Sequence, residues 1–357
     1  MKALETLYEK PPIFHHFHDR KVRVETPNTL VVGPKGAGKT ALLLDYLSTL
    51  PPKSFLYLSL HDVRLDPREL GDALETFCKT TPLTLLVIDD YTPALALPQD
   101  IPLLLSSTDT ALHVEGFTRM LVDALDFEEF MAFSKGAASS EHLFNLYANH
   151  GRSPAHVALG ETELAKALQT SLLLDLYDPL LITLFRHMAL SQSRPLSLHH
   201  LYQSLKPHVK LSKDSLYSAA ALFERKGLLH FVSKFDAPKT PKKVYLNDFA
   251  LKNALTFEKD FLRRFENIVF CELLKKHTTI YYTPVVDFYL PLAQEALVCI
   301  PFLPPELILR RFGGMVEHLR GLGIKRLSVL SVGNEGSGEK EGIVCEIIPF
   351  WEWALQC

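Results

Sequence analysis

Apolar residues in the first 130 positions fall into short unbroken runs separated by stretches of helical period. Thr29–Gly33, Ser54–Leu60, Leu83–Asp90, Ile101–Ser107 and Arg119–Ala124 read as strands. Between them, Lys39–Leu50 reads as a helix stopped by Pro51 and Pro52, and Pro67–Lys79 places Leu70, Ala73, Leu74 and Phe77 on one helical face. Strands that are apolar at nearly every position are buried on both faces, so this alternation predicts an α/β domain built on a parallel sheet.

The pattern then changes. Asp126-Phe127-Glu128-Glu129 has the form of a capping box and predicts a helix start. Residues 134–170 suggest small helices around loops at Lys135–Ala137 and His150–Pro154, and helices dominate from Ser171 to a β-like pair, Leu228–Phe235 and Lys242–Leu246. Further on, Glu258–Lys276 and Pro305–Leu322 read as helices. Ile280–Leu290, Ala296–Phe302, Arg326–Val332 and Gly342–Ile348 read as extended, and Asn334–Gly342 as a flexible loop by composition. The expected organisation is a first domain over 1–134, a helical lid or linker over 135–190, a small module over 191–254 and a second α/β domain over 255–357.

The chain has 357 residues, 38 Lys+Arg against 41 Asp+Glu, a net charge of −3, 47% hydrophobic and 22% charged residues. These values exclude a mainly disordered chain and a globally basic nucleic-acid binder. The scattered cysteines form no CxxC pair, which excludes the usual zinc ribbons and fits a reducing, cytosolic compartment. The opening segment carries Glu5 and Glu9 and lacks an apolar core, so no signal peptide is expected. No run approaches the roughly 20 apolar residues of a membrane span, so a soluble, cytoplasmic protein is expected.

Candidate chemistry concentrates at the end of the first strand. Gly33-Pro34-Lys35-Gly36-Ala37-Gly38-Lys39-Thr40 matches GxxxxGK[ST], with a strand before it and a helix after it, the context this motif requires. Glycines let successive N–H groups turn toward phosphate oxygens, and the helix N-terminus favours an anion. ATP is the expected ligand, with Lys39 on the β- and γ-phosphates and the Thr40 hydroxyl on Mg²⁺.

Leu85-Leu86-Val87-Ile88 runs into the acidic pair Asp89-Asp90. A carboxylate at such a strand tip can hold the hydration shell of Mg²⁺, the role assigned to Asp89. Asp90 is the candidate to orient the attacking water or accept its proton, against a plain turn-capping role. The next strand ends in Ser106-Ser107-Thr108, whose hydroxyls would lie beside the γ-phosphate if the strands are neighbours; Ser107 is the candidate catalytic hydroxyl.

The phosphate loop, the Asp89-Asp90 and Ser106–Thr108 tips and the segment Ala124–Phe130 together resemble the bacterial and archaeal AAA+-type P-loop ATPases that carry a winged helix and a C-terminal restriction-endonuclease-like domain. Lys242–Asp248, Glu266–Phe270 and Val286-Asp287-Phe288 extend the resemblance over most of the chain. It implies the sheet order 5-1-4-3-2, a winged helix over 191–254 and a nuclease-like fold over 255–357. Two departures stand out. The group's acidic pair ends in Glu where this chain has Asp90, one methylene shorter, which implies slow hydrolysis. The arginine that precedes the capping segment in the group has only Arg119 as a candidate here.

In the middle region, Leu198–Leu205 and Ser212–Lys226 read as a helix pair, the second with Leu216, Ala219, Ala220 and Phe223 on one face. Residues 191–250 hold ten Lys/Arg and four Asp/Glu, a net of +6 in an otherwise acidic chain. DNA or RNA contact would use Lys213, Ser215, Arg225 and Lys226 on the helix, with Lys234, Lys239, Lys242 and Lys243 of the wing on phosphates. A packing or protein-binding module is the alternative. In the C-terminal region the resemblance places Glu266 and Asp287 at nuclease metal positions, but Val298 and Ile300 stand where a polar ligand and a lysine belong, so the domain is expected to be an inactive scaffold. Lys275 and Lys276 are the candidates for a relocated lysine. His15-His16-x-His18 is a weak metal candidate, and Trp351 and Trp353 are expected to pack in a core or lid. The expected function is an ATP-binding, Mg²⁺-dependent ATPase whose ATP/ADP state rearranges its domains and engages a protein partner. A non-hydrolysing switch and a nucleic-acid-binding regulator are the alternatives.

Overall fold

A computed structural model describes residues 2–12, 18–134 and 138–356. His15 and His16 of the histidine cluster, and the Lys135–Ala137 loop, lie outside the described residues. The chain divides into two units: residues 1–124 with 225–227, and the remainder.

The first unit is built on strands β1 (Thr29–Val32), β2 (Phe55–Ser59), β3 (Leu85–Asp89), β4 (Leu103–Ser107) and β5 (Thr118–Leu121), all parallel, in the order β2-β3-β4-β1-β5. This is the expected 5-1-4-3-2 order. Side chains alternate across the sheet. Val31, Val87 and Leu104 face a core with Leu42, Leu43 and Leu47 of the helix Lys39–Ser48. Leu30, Leu86, Ile88 and Leu105 face the other way, onto Leu70, Leu74 and Phe77 of the helix Pro67–Thr80. Each fully buried leucine of this kind stabilises the fold by about 1.5–3 kcal/mol. β1, β3 and β4 are buried throughout, whereas edge strand β5 is largely exposed; its side chains Thr118 and Arg119 are polar.

The second unit begins with the capped helix Phe127–Phe133: the Asp126 carboxylate accepts from Glu129 N at 2.8 Å, as the capping box predicts. Helices Ser140–His150, Glu161–Leu176 and Pro179–Ala189 follow, then Leu198–Leu205 and Lys213–Arg225 with the antiparallel strands β6 (Pro195–Leu196), β7 (Leu229–Val232) and β8 (Lys242–Leu246) in the order β6-β8-β7. Helix pair followed by hairpin is the expected element order, and Leu216, Ala219, Ala220 and Phe223 are all buried.

Beyond it, β9 (Phe288–Leu290), β10 (Glu295–Cys299), β11 (Arg326–Ser331), β12 (Gly336–Lys340) and β13 (Ile343–Pro349) form a second five-stranded sheet, order β12-β13-β11-β10-β9. Its central three strands are parallel; β9 and β12 are antiparallel edges. Three expectations change. Asn334–Gly342 is not a flexible loop: Gly336–Lys340 pairs as an edge strand, where backbone ladder bonds need no apolar side chains. Pro305–Leu322 is two helices, Pro305–Gly313 and Val316–Gly321, broken after the Gly313-Gly314 pair. Of Ile280–Leu290 only Phe288–Leu290 is a strand, with isolated bridges at Tyr281 and Tyr282 before it. Trp351 and Trp353 lie in the last helix, Phe350–Gln356, against Phe144 and Phe350, which is core packing as expected. No helix of the described residues is long and apolar enough to cross a membrane.

Candidate functional site

The site lies at the C-terminal edge of the first sheet, where parallel strands β1, β3 and β4 end side by side. Gly33 N donates to Ser107 O at 3.2 Å, which fixes where the loop leaves the sheet. Glycine is required at 33 because a Cβ there would stand 2.0 Å from the Val122 carbonyl oxygen. Gly38, at φ +95°, makes the left-handed turn into the helix Lys39–Ser48. Lys39 is buried, and its ammonium donates to Gly33 O and Pro34 O, both at 2.9 Å. Lys35, Gly36 and Ala37 complete the loop, with Ala37 packed into the core below.

Thr40, one residue into the helix, donates its hydroxyl to Asp89 Oδ2 at 2.7 Å. Tyr57, on neighbouring β2, donates to the same oxygen at 2.8 Å. Burial, reinforced by the Asp89 carboxylate, holds the Tyr57 phenol far above its usual range, so it stays a donor. Asp89 Oδ1 accepts from the Ser106 hydroxyl of β4. An acidic side chain with one oxygen shared by two hydroxyls and the other held by a third is oriented on both sides.

Asp90 follows in the left-handed region, φ +60°, its amide donating to Ser106 Oγ at 2.9 Å. Burial, and then the Asp89 charge, push its carboxyl above the usual carboxylate range, while His61, Lys39 and Lys35 oppose that rise. His61, on the loop after β2, stands 3.5 Å from Asp90 Oδ2.

Of the expected residues, the structure thus brings Lys39, Thr40, Asp89 and Asp90 together. Ser107 is placed differently. Its carbonyl anchors the loop, but its hydroxyl accepts from Asp109 N at 3.3 Å, and it is Ser106 that touches the acidic pair. Strand alternation explains the exchange, since adjacent residues point to opposite faces. Arg119 donates to Thr110 O, a structural contact. Three residues escape the sequence reading. Tyr57 and His61 carry no motif, and only the register of β2, and of the loop that follows it, brings them in. Arg20 clamps the loop by donating to Ala37 O at 2.6 Å and to Asp123 O at 2.9 Å, with no local pattern to signal it.

The nuclease-like positions form a second polar cluster, in the second unit. Lys243 donates to Glu266 Oε1 at 2.7 Å and to Asp287 Oδ1 at 3.3 Å, and Tyr245 donates to the same Glu266 oxygen at 2.7 Å. Asp287 Oδ2 accepts from Cys299 N at 2.9 Å. Two expectations are corrected here. Lys243 is not an exposed phosphate contact of the wing; β8 alternation turns Lys242 out and Lys243 in, against two carboxylates. Nor does Lys275 or Lys276 fill the place of the missing lysine. Lys275 pairs with Glu272 and Asp126 instead, and Lys276 donates to Gln356 O. Burial alone would lower the Lys243 pKa, but Glu266 and then Asp287 outweigh it and the net shift is upward. Burial, and then Asp287, raise Glu266. Among the described residues no group of three or more His, Cys, Asp and Glu could hold a metal ion.

No family model matches the chain, and no curated protein matches it. Among solved structures it is similar to a Walker-type ATPase of Pyrococcus abyssi, with 14% identity over 64% of this chain and 90% of that one and a TM-score of 0.44. It is also similar to the Aeropyrum pernix Orc1 protein in complex with DNA, with 14% identity, 66% and 87% coverage and a TM-score of 0.33. The likeness is distant, and the assignment of the site rests on its own geometry.

Proposed function

We propose that this chain binds ATP with Mg²⁺ at the 33–40 loop and hydrolyses it slowly. The observation that carries this reading is the Thr40–Asp89 hydrogen bond, which sets a loop hydroxyl and a strand-tip carboxylate 2.7 Å apart beside a buried lysine. An all-oxygen pair of this kind suits a hard divalent cation. Bound there, Mg²⁺ would supply positive charge to the β- and γ-phosphate oxygens. Lys39 would give up carbonyl partners for phosphate oxygens, a charge-assisted exchange. The loop amides would cradle the phosphates. Asp90 would orient the attacking water and take its proton, its position fixed by Ser106.

The test is calorimetric titration of Mg²⁺-ATP into wild type and Lys39→Ala, paired with a multiple-turnover phosphate-release assay. Unchanged affinity in Lys39→Ala would sink the assignment. Tight binding without turnover would favour the second reading, a nucleotide-dependent switch, for which the short Asp90 side chain speaks.

For the second unit we propose a scaffold without nuclease activity. In support, the ammonium of Lys243 sits between Glu266 and Asp287, where a metal would have to bind. Metal-dependent cleavage of plasmid or RNA, lost in Asp287→Ala, would overturn this. Contact of the 191–250 module with DNA or RNA would use Lys213, Ser215, Arg225, Lys239 and Lys242, which are exposed. A salt-dependent binding titration tests it.

A further inference from the structure

A second cavity carries chemistry that neither cluster uses. It lies in the second unit, between the helix Glu161–Leu176 and the segment joining the helix Leu251–Leu255 to the helix Phe261–Leu273, and its volume is about 370 Å³. That is within the range of small-molecule sites. Its floor is apolar, with Leu164, Leu168 and Ala254 buried. The Gln169 amide donates to Ala254 O at 2.6 Å and fixes that floor.

One wall is the guanidinium of Arg264. Among the described residues a single donor, Nη1, is engaged, at 3.3 Å from Asn149 Oδ1, and the cation lies 5.6 Å from the Phe261 ring centroid. Its Nε is buried with no hydrogen-bond partner among the described residues, and no carboxylate among them pairs with it; Glu266, on the same helix, is taken by the neighbouring Arg263. Arginine has five N–H donors and cannot shed its charge, so a half-buried guanidinium without a counter-ion is costly. Burial alone shifts its pKa, downward, with no acid opposing. Lys259 adds a second cation to the lining; Glu258 is the lining acid, and both are exposed. Phe257, fully exposed at 105%, presents a bare ring beside them.

We propose that this cavity binds a small organic anion. A carboxylate or phosphate head would take the open donors of Arg264, with Asn149 and Lys259 alongside. An apolar body would lie on Leu164, Leu168 and Ala254, next to Phe257. The cation sets the sign of the ligand charge, and the apolar floor excludes a bare inorganic ion as the preferred occupant.

The test uses the full chain carrying Lys39→Ala, so that phosphate binding at the 33–40 loop does not contribute. Phenyl phosphate and benzoate are titrated by calorimetry and by thermal unfolding, with benzylamine as the cationic match and inorganic phosphate as the head alone. At least one acid should bind and raise the unfolding midpoint, and which of them does so decides between a phosphate and a carboxylate head. Benzylamine should not bind, and inorganic phosphate should bind at least about tenfold more weakly. Arg264→Met should reduce affinity at least about tenfold without lowering the midpoint of the free protein, because it removes a half-buried charge that has no counter-ion, at similar volume. Ala254→Phe, which keeps the cation and fills the floor, should also abolish binding. Unchanged affinity in Arg264→Met, equal binding of benzylamine, or no binding of either acid at millimolar concentration would overturn the proposal.

Discussion

The Ser106 hydroxyl donates to the Asp89 carboxylate across the β3–β4 pair. The same oxygen accepts from the amide of Asp90, so one side chain spans both acids. Ser106→Ala should therefore lower turnover about tenfold or more while ATP still binds, because the water-orienting acid loses its support. Ser107→Ala should have the smaller effect, since that hydroxyl meets the amide of Asp109 rather than either acid. Phosphate-release rates on the two variants decide it; the reverse order would return the catalytic hydroxyl to Ser107.

Asp90 gives the site a pH dependence of known sign. The proposed role needs the ionised carboxylate, and burial with the Asp89 charge raises its pKa. Protonation then sets in at a higher pH than for an ordinary Asp. Turnover should be full above that raised value and fall as pH drops through it. Asp90→Asn should remove this acid limb and slow turnover about 100-fold. A pH–rate profile with the same limb in both proteins would place the base elsewhere.

Lys243 holds two acids at once, so its removal leaves Asp287 without its cation and the buried Glu266 with only the half-exposed Arg263. Lys243→Ala should cost about 3–5 kcal/mol of stability, read as a shift of the urea midpoint. Lys243→Met combined with Glu266→Gln and Asp287→Asn should recover most of that loss. If the triple variant is no better than Lys243→Ala, packing volume rather than charge governs the cluster.

Two glycines make a matched pair of opposite sign. Gly33→Ala should disrupt the loop and abolish ATP binding, because its Cβ would sit 2.0 Å from the Val122 carbonyl oxygen. Gly71, inside the helix Pro67–Thr80, faces open space, with nothing among the described residues within 4 Å of where a Cβ would stand. Gly71→Ala should therefore stabilise the fold by about 0.5–1 kcal/mol. Thermal unfolding of both variants gives the comparison.

The first sheet is legible because its strands are apolar runs of fixed length, and the loop because glycine, lysine and threonine stand at a spacing with few other uses. What the sequence hides is lateral. Tyr57 and Asp89 are 32 residues apart and meet only through the β2–β3 register Tyr57↔Val87 and Ser59↔Asp89. Lys243 reads as surface charge because lysines usually are; its burial follows from Glu266 and Asp287, 23 and 44 residues further on. β12 is hidden for the opposite reason: an edge strand such as Gly336–Lys340 is held by its backbone, and its composition resembles that of a loop.

The left-handed backbone at Asp90 couples two choices that look independent. Among non-glycine residues, Asp and Asn tolerate φ near +60° best, since a short polar side chain can bond locally; a longer chain gains no such relief. Replacing Asp90 by Glu would add reach toward a nucleotide and, in the same step, load the turn with strain. The acid at this strand tip and the bend that carries it are therefore matched to each other; a longer acid can hold such a turn, as Glu341 does at φ +52°, but only by absorbing the added strain.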